Sequence, residues 1–351
     1  MIAAMKNCIV LFLAVAAALA VLGNPTVIGN GWGLDHVIVG VSNPEVAKQI
    51  FATKLGFTPF TGSKFAAEGL DQAIIELSPA YIEVLWLYRE PAADARPIAS
   101  RVRKKVELGG GPLTYNIDVS PVEQAVDAMR RSGMRVSLRP GPTTKTPDGK
   151  EAPDWQFADI DAQDRAAQPL GVPGGLGVGF LEYRNNSNSL NPDRFKRLLE
   201  RAEREVPDSR RTSGEIHANT ARRLRSVWIA VPSVAEAVKQ ASRFEFAVGV
   251  ERQFKALGEK GREVQCGQGT LVFFEPVHEH SPLAALVDKQ GFGLFGIGIG
   301  VADLKVAQRI VQQGTHAKFG IQQLGNQASF IVPSDLAGGT FFEFVQEQPP
   351  L

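Results

Sequence analysis

Two residues able to hold a metal or move a proton sit in strand-like surroundings: His36 and Glu83. The stretch Leu34-Asp35-His36-Val37-Ile38-Val39-Gly40-Val41 is rich in β-branched residues and reads as a strand. Strand side chains alternate between faces, so Val37, Val39 and Val41 form an apolar face suited to a packed helix. His36, Ile38 and Gly40 point the other way. In Tyr81-Ile82-Glu83-Val84-Leu85-Trp86 the apolar face is Ile82, Val84 and Trp86, with Tyr81, Glu83 and Leu85 opposite. His36 and Glu83 therefore share a face if their strands share a sheet. One imidazole nitrogen and one carboxylate suit zinc, iron, manganese or nickel.

Other chemistry-bearing signals weaken on inspection. Gly291-Phe292-Gly293-Leu294-Phe295-Gly296 satisfies G-x-G-x-x-G, but a dinucleotide fingerprint opens a helix and this one leads into a strand. His278-Glu279-His280 precedes Ser281-Pro282 and reads as a solvated loop. His217 and His316 lack a partner pattern and read as surface or hydrogen-bonded structural residues. There is no G-x-S-x-G elbow, and Cys266 has no positioned histidine, which argues against covalent nucleophile chemistry.

The elements that must position His36 and Glu83 recur four times. The first copy has the strand at Leu34 to Val41, a helix capped by Asn43-Pro44 and stopped by Gly56, and strands around 58–60, 73–77 and 81–87. The second opens at Leu113 to Val119, is capped by Ser120-Pro121 with Glu123 at the capping-box position, and stops at Gly133. The third opens at Leu224 to Val231 and is capped by Ser233, with Glu236 three residues on. The fourth opens at Leu294 to Val301, is capped by Asp303, stops at Gly314 and closes with Thr340 to Phe344. All four fit a βαβββ plan. The fold class is thus α+β, with modules at 33–90, 112–184, 224–276 and 294–347. They group into a first domain at 33–190 and a second at 223–347. A charged helical connector, 191–222, lies between; its arginines interleave with Glu200, Glu203 and Glu205 and read as a solvated amphipathic helix.

Residues 1–23 have a signal-peptide shape: one lysine, an apolar stretch from Cys8 to Gly23, and Ala18-Leu19-Ala20 as a small-residue cleavage site. Cleavage places the body outside the cytoplasm, periplasmic or secreted; an uncleaved N-terminal anchor is the alternative. Removal of the leader leaves Cys266 as the sole cysteine, so no internal disulfide forms. Lys plus Arg number 38 against 37 Asp plus Glu, a balance that gathers neither nucleic acid nor anionic membrane.

Gly33 to Val41, followed by Lys54-Leu55-Gly56-Phe57 and Tyr81-Ile82-Glu83-Val84, resembles the opening module of the glyoxalase-like branch of the vicinal-oxygen-chelate superfamily. The resemblance implies modules paired into two cupped mixed sheets, with a divalent metal held by the first and last strands of a module pair. Aligning Val119 on Val41 puts Thr114 at the His36 position, with Asn116 and Asp118 after it on the cupped face. Glu182 is set on Glu83. The implied metal set is His36, Glu83 and Glu182, with Thr114 or a water closing the shell. Tyr81, Thr114, Asn116 and Asp118 line the pocket. In the second pair Ser226 and Gly296 fall at the histidine positions and Glu343 at the closing glutamate, a set too weak to hold a catalytic metal. That pair reads as a degenerate domain.

The resemblance implies a metal-assisted isomerase, lyase or hydrolase acting on a small oxygenated molecule. Glu83 or Glu182 would shuttle the proton. Extradiol ring cleavage fits worse, because only His36 is found where such members carry two ligand histidines. A non-catalytic extracytoplasmic protein binding a small ligand is the alternative. Four modules in one chain can pair within it, so a monomer is expected, with a dimer open.

Overall fold

The β-branched run that opens each copy is a buried central strand. The computed structural model describes residues 27–93, 97–141, 143–145, 149–161, 178–183, 192–324 and 327–347, so the stretch read as a signal peptide, 1–23, lies outside the described residues. The first copy comprises β1 (Gly33–Gly40), α1 (Pro44–Ala47) continued by a π-helical stretch (Lys48–Lys54), β2 (Phe60–Thr61), β3 (Leu70–Glu76) and β4 (Tyr81–Leu87). Asn43 Oδ1 accepts from the Val46 backbone N–H at 2.9 Å, as the cap signal predicts. Next come α2 (Ile98–Glu107), β5 (Gly111–Asp118), α3 (Val122–Arg131), β6 (Val136–Pro140), the hairpin β7 (Thr143–Lys145) and β8 (Glu151–Pro153), β9 (Trp155–Ile160) and β10 (Gly179–Tyr183). The connector helix α4 (Pro192–Glu205) leads to β11 (Ala221–Ala230), α5 (Val234–Ser242), β12 (Ala247–Phe254), β13 (Glu259–Cys266) and β14 (Gly269–Phe274). Then follow α6 (Pro282–Gln290), β15 (Gly293–Val301), α7 (Leu304–Thr315), β16 (Gln322–Leu324), β17 (Gln327–Val332) and β18 (Phe341–Gln346).

The strands form two mixed 8-stranded sheets, ordered β2-β3-β4-β1-β5-β10-β9-β6 and β12-β13-β14-β11-β15-β18-β17-β16. In each copy the first and last strands pair in parallel. The copies join through their first strands, β1 against β5 and β11 against β15, both antiparallel. This is the α+β arrangement of paired βαβββ modules. Two helices fall outside the predicted plan: α2 packs Ala99 and Val102 against Ile38, Leu70 and Leu85, and α6 buries Leu283 beside Phe295 and Phe341. Each covers part of the face opposite the module helices.

Two predicted helix ends differ. The second copy lacks a capping box: Pro121 stands at the N-cap without a side-chain bond, and the Val122 N–H donates to Glu182 instead. Gly314 does not stop α7. His316 ends it in the left-handed conformation at φ 57°, while the Cβ that Gly314 lacks would collide with the Thr53 and Lys54 carbonyls.

The apolar faces of both sheets meet in one buried cluster, in which Phe51 contacts Phe342 with ring centroids 6.2 Å apart and Phe180 stacks on Phe244 at 5.1 Å. Helix α4 lays Leu198, Leu199 and Ala202 over Phe60 and Ile216, shielding an edge of the first sheet. Fully buried His217 keys the segment after α4 onto the first copy: its Nδ1 accepts from the Thr58 N–H at 3.0 Å and its Nε2 donates to the Glu76 carbonyl at 2.7 Å. Burial holds its pKa down at about 4. Among the described residues no helix is long and apolar enough to cross a membrane.

Candidate functional site

In the first sheet His36 stands opposite Tyr81 of β4 on one side and Asn116 of β5 on the other. All its ring positions are engaged. Nδ1 donates to Asp35 Oδ2 at 2.5 Å, Nε2 accepts from Asn116 Nδ2 at 2.5 Å, and the ring stacks on Tyr81 at 4.4 Å between centroids. Glu83 Oε2 lies 3.9 Å from Nε2, and both side chains are largely buried. The Tyr81 hydroxyl donates to Tyr183 at 3.1 Å, and Tyr183 donates to Asp35 Oδ2 at 3.1 Å. Tyr183 and the imidazole thus converge on Asp35, with Tyr81 linked to it through Tyr183. Burial, then the neighbouring Tyr183, Asp35 and Glu83, raises the Tyr81 pKa well above the ordinary phenol value, so its hydroxyl keeps its proton. Asp118 accepts from the Trp32 N–H at 2.9 Å; burial raises its carboxyl to about 7, with Asp35 and Glu182 adding to the effect and Trp32 opposing it.

His36, Glu83, Tyr81 and Asn116 lie side by side, and Thr114 is buried in β5 opposite Ile38. Glu182 is not part of the group. Ile38 pairs with Glu83, and its equivalent Asn116 pairs with Gly179, so Gly179 and not Glu182 occupies the Glu83 position in the second module. A three-residue offset reverses the face of a strand. Glu182 accordingly shares its face with the core residue Phe180 and accepts from Ser120 Oγ at 3.0 Å and the Val122 N–H at 3.2 Å, at the start of α3. Its carboxylate serves the helix N-terminus. At Gly179 a Cβ would collide with the Asn116 amide oxygen, so the glycine leaves room for the side chain that bonds His36.

These positions decide the fit of a metal. A catalytic divalent ion takes about three protein ligands and keeps one position open. Here two of the expected donors face each other, the third has turned to the other face, and the imidazole nitrogen nearest Glu83 carries an amide hydrogen bond. No group of three His, Cys, Asp or Glu side chains among the described residues is arranged to hold an ion. The residues present do not fit a tightly held metal.

The second cup has a different content. Trp228, Phe254, Phe274, Phe295 and Phe341 fill it. Gly298 pairs with Glu343, which puts Glu343 at the predicted closing position, but Arg252 meets its carboxylate at 2.7 Å and Ser329 Oγ donates to it at 2.8 Å. The bare strand face of Gly296 and Gly298 is occupied by the side chains of Trp228 and Ser226.

Sequence reasoning missed Asp35 and Tyr183. Alternation alone assigns Asp35 to the face opposite His36, and the register shift between Leu34 and His36 is where that alternation fails. Tyr183 lies one residue past Glu182, on the face that the corrected register turns toward Tyr81.

A model of the glyoxalase-like domain matches residues 34–244, more than half of the chain. No curated protein matches. Among solved structures, a substituted variant of 4-hydroxymandelate synthase from Streptomyces coelicolor is 14% identical with a TM-score of 0.57, covering 92% of this chain and 94% of that one. A hypothetical protein from Staphylococcus aureus is 11% identical with a TM-score of 0.51, covering 90% and 99%. At these identities the likeness is one of fold. The paired modules, their register and the family match agree, and the chain belongs to the glyoxalase-like domain family.

Proposed function

We propose that the first cup is an acid–base site for a small oxygenated molecule and acts by moving a proton rather than through a tightly held metal. The observation that carries this reading is the Glu83 carboxylate 3.9 Å from an imidazole whose far nitrogen is tied to buried Asp35. Glu83 takes the proton beside a carbonyl. Asp35 fixes which His36 nitrogen bears hydrogen, and the protonated Tyr81 hydroxyl is a donor for the oxygen that gains charge. The reaction class is isomerase or epimerase-like. The bond from Asn116 to His36 favours a second reading, a non-catalytic binding protein, because it leaves the imidazole already satisfied. The leader at 1–23 supports a place outside the cytoplasm, which N-terminal sequencing of the mature protein checks.

The test is solvent deuterium incorporation, followed by NMR, into α-hydroxy ketones and 1,2-diketones, with metal content measured on the same protein. Exchange that survives a chelator and disappears in Glu83→Gln supports the enzyme. Binding without exchange supports the second reading. Near-stoichiometric metal that is lost in His36→Ala refutes both the poor metal fit and the metal-independent reaction.

A further inference from the structure

Strand β3 presents Leu70, Gln72 and Ile74 to the cup: Leu70 packs with Ile38 and Leu85, Gln72 pairs with Leu85, and Ile74 pairs with Glu83. Gln72 is therefore the diagonal neighbour of Glu83 on the same face, with its side chain leaning over Gly62 on the β2 side. It is 7% exposed, and its Oε1 has no hydrogen-bond donor among the described residues. Packing holds the amide in place, because a Cβ on Gly62 would come within 2.5 Å of Gln72 Cγ and 2.8 Å of Cδ. A buried amide oxygen without a donor costs stability, and such a group beside a site requires a reason. Leu70, Leu85 and the α2 residues Ala99 and Val102, which pack with Ile38 on this face, carry no side-chain donor.

We propose that Gln72 accepts a hydrogen bond from a hydroxyl of the ligand, so that the cup selects carbonyl compounds bearing a free hydroxyl. This rests on the acid–base reading of the cup and adds a specificity-determining residue to it. Hydroxyacetone and methoxyacetone are the probes, since they differ by the hydroxyl hydrogen that Gln72 would engage. Ligand-observed NMR should show the full-length wild type binding hydroxyacetone about tenfold more tightly than methoxyacetone, with Gln72→Met reducing the preference to about threefold or less. In urea, Gln72→Met should unfold at the same or a higher midpoint than wild type, because it removes an unsatisfied oxygen at similar volume. A residue kept for structure would give a lower midpoint. Binding that follows this pattern without deuterium exchange would reject the acid–base chemistry and keep Gln72 as the selecting group. Equal affinity for the two probes, an unchanged preference in Gln72→Met, a lowered midpoint, or no binding of either probe to wild type would overturn the proposal.

Discussion

Acid should act on this fold through His217. Its two ring nitrogens bond the Thr58 N–H and the Glu76 carbonyl, and burial lowers its pKa from 6.5 to about 4. The folded state therefore favours the neutral ring, and below pH 6.5 the unfolded chain binds the extra proton. The stability from this group is complete above pH 6.5, is lost as pH falls toward 4, and totals about 3 kcal/mol. Between pH 7 and pH 4.5 the loss is about 2 kcal/mol. His217→Leu removes the titration but strands two buried backbone groups, costing roughly 2–4 kcal/mol at pH 7. Urea unfolding of both proteins at the two pH values isolates the effect, because titrations common to both, Asp118 among them, cancel in the difference. The gap between wild type and variant should narrow by about 2 kcal/mol at pH 4.5. A gap of the same size at both pH values would refute the assignment of a neutral, strained-to-ionise His217.

Three further outcomes follow from the first cup. Asn116→Ala with Gly179→Glu frees the His36 nitrogen and supplies a carboxylate at the Glu83-equivalent position; cobalt titration should show a visible-absorbing complex at roughly micromolar Kd in the double variant and none in wild type. Asp118 has a folded pKa of about 7, above the usual 3.8, so its stabilising contribution is present when protonated and fades as pH rises from 3.8 to 7. Asp118→Asn should accordingly stabilise the protein by roughly 3 kcal/mol at pH 8, allowing for partial exposure, and by little at pH 3.5, as read by denaturant unfolding. Glu182→Ala should cost about 1 kcal/mol through the α3 N-terminus while leaving deuterium exchange in the cup unchanged; loss of exchange at full stability would return Glu182 to the site.

The repeat was legible because its signals are local. The Asn43, Ser233 and Asp303 caps and the alternation of Val37, Val39 and Val41 each need only a few neighbouring residues, and the structure keeps them. His36 and Glu83 followed, since both lie in strands with a clear apolar face. Glu182 did not, because its face depends on the pairing of β10 with β5, and pairing is a property of two distant segments. Gly179, paired with Asn116, was the available clue. Asp35 escaped for a related reason: an irregularity between paired strands is invisible in either strand alone. The helices α2 and α6 had apolar spacing of their own, at Ile98, Val102 and Val106 for α2, but a plan of one helix per copy left no place for them.

The core shared by the two sheets gives each strand two separate histories. In β15, Ile297, Ile299 and Val301 belong to the common interior, while Gly296, Gly298 and Gly300 face the second cup. Substitution on the cup side changes the cup lining alone, whereas substitution on the interior side acts on the core that both sheets share. The second half is therefore a cooperative part of the first rather than a passenger: Phe244 and Phe342 complete the packing around Phe180 and Phe51. Truncation after α4 would expose that interior to water, so the first cup depends on the second half for its packing.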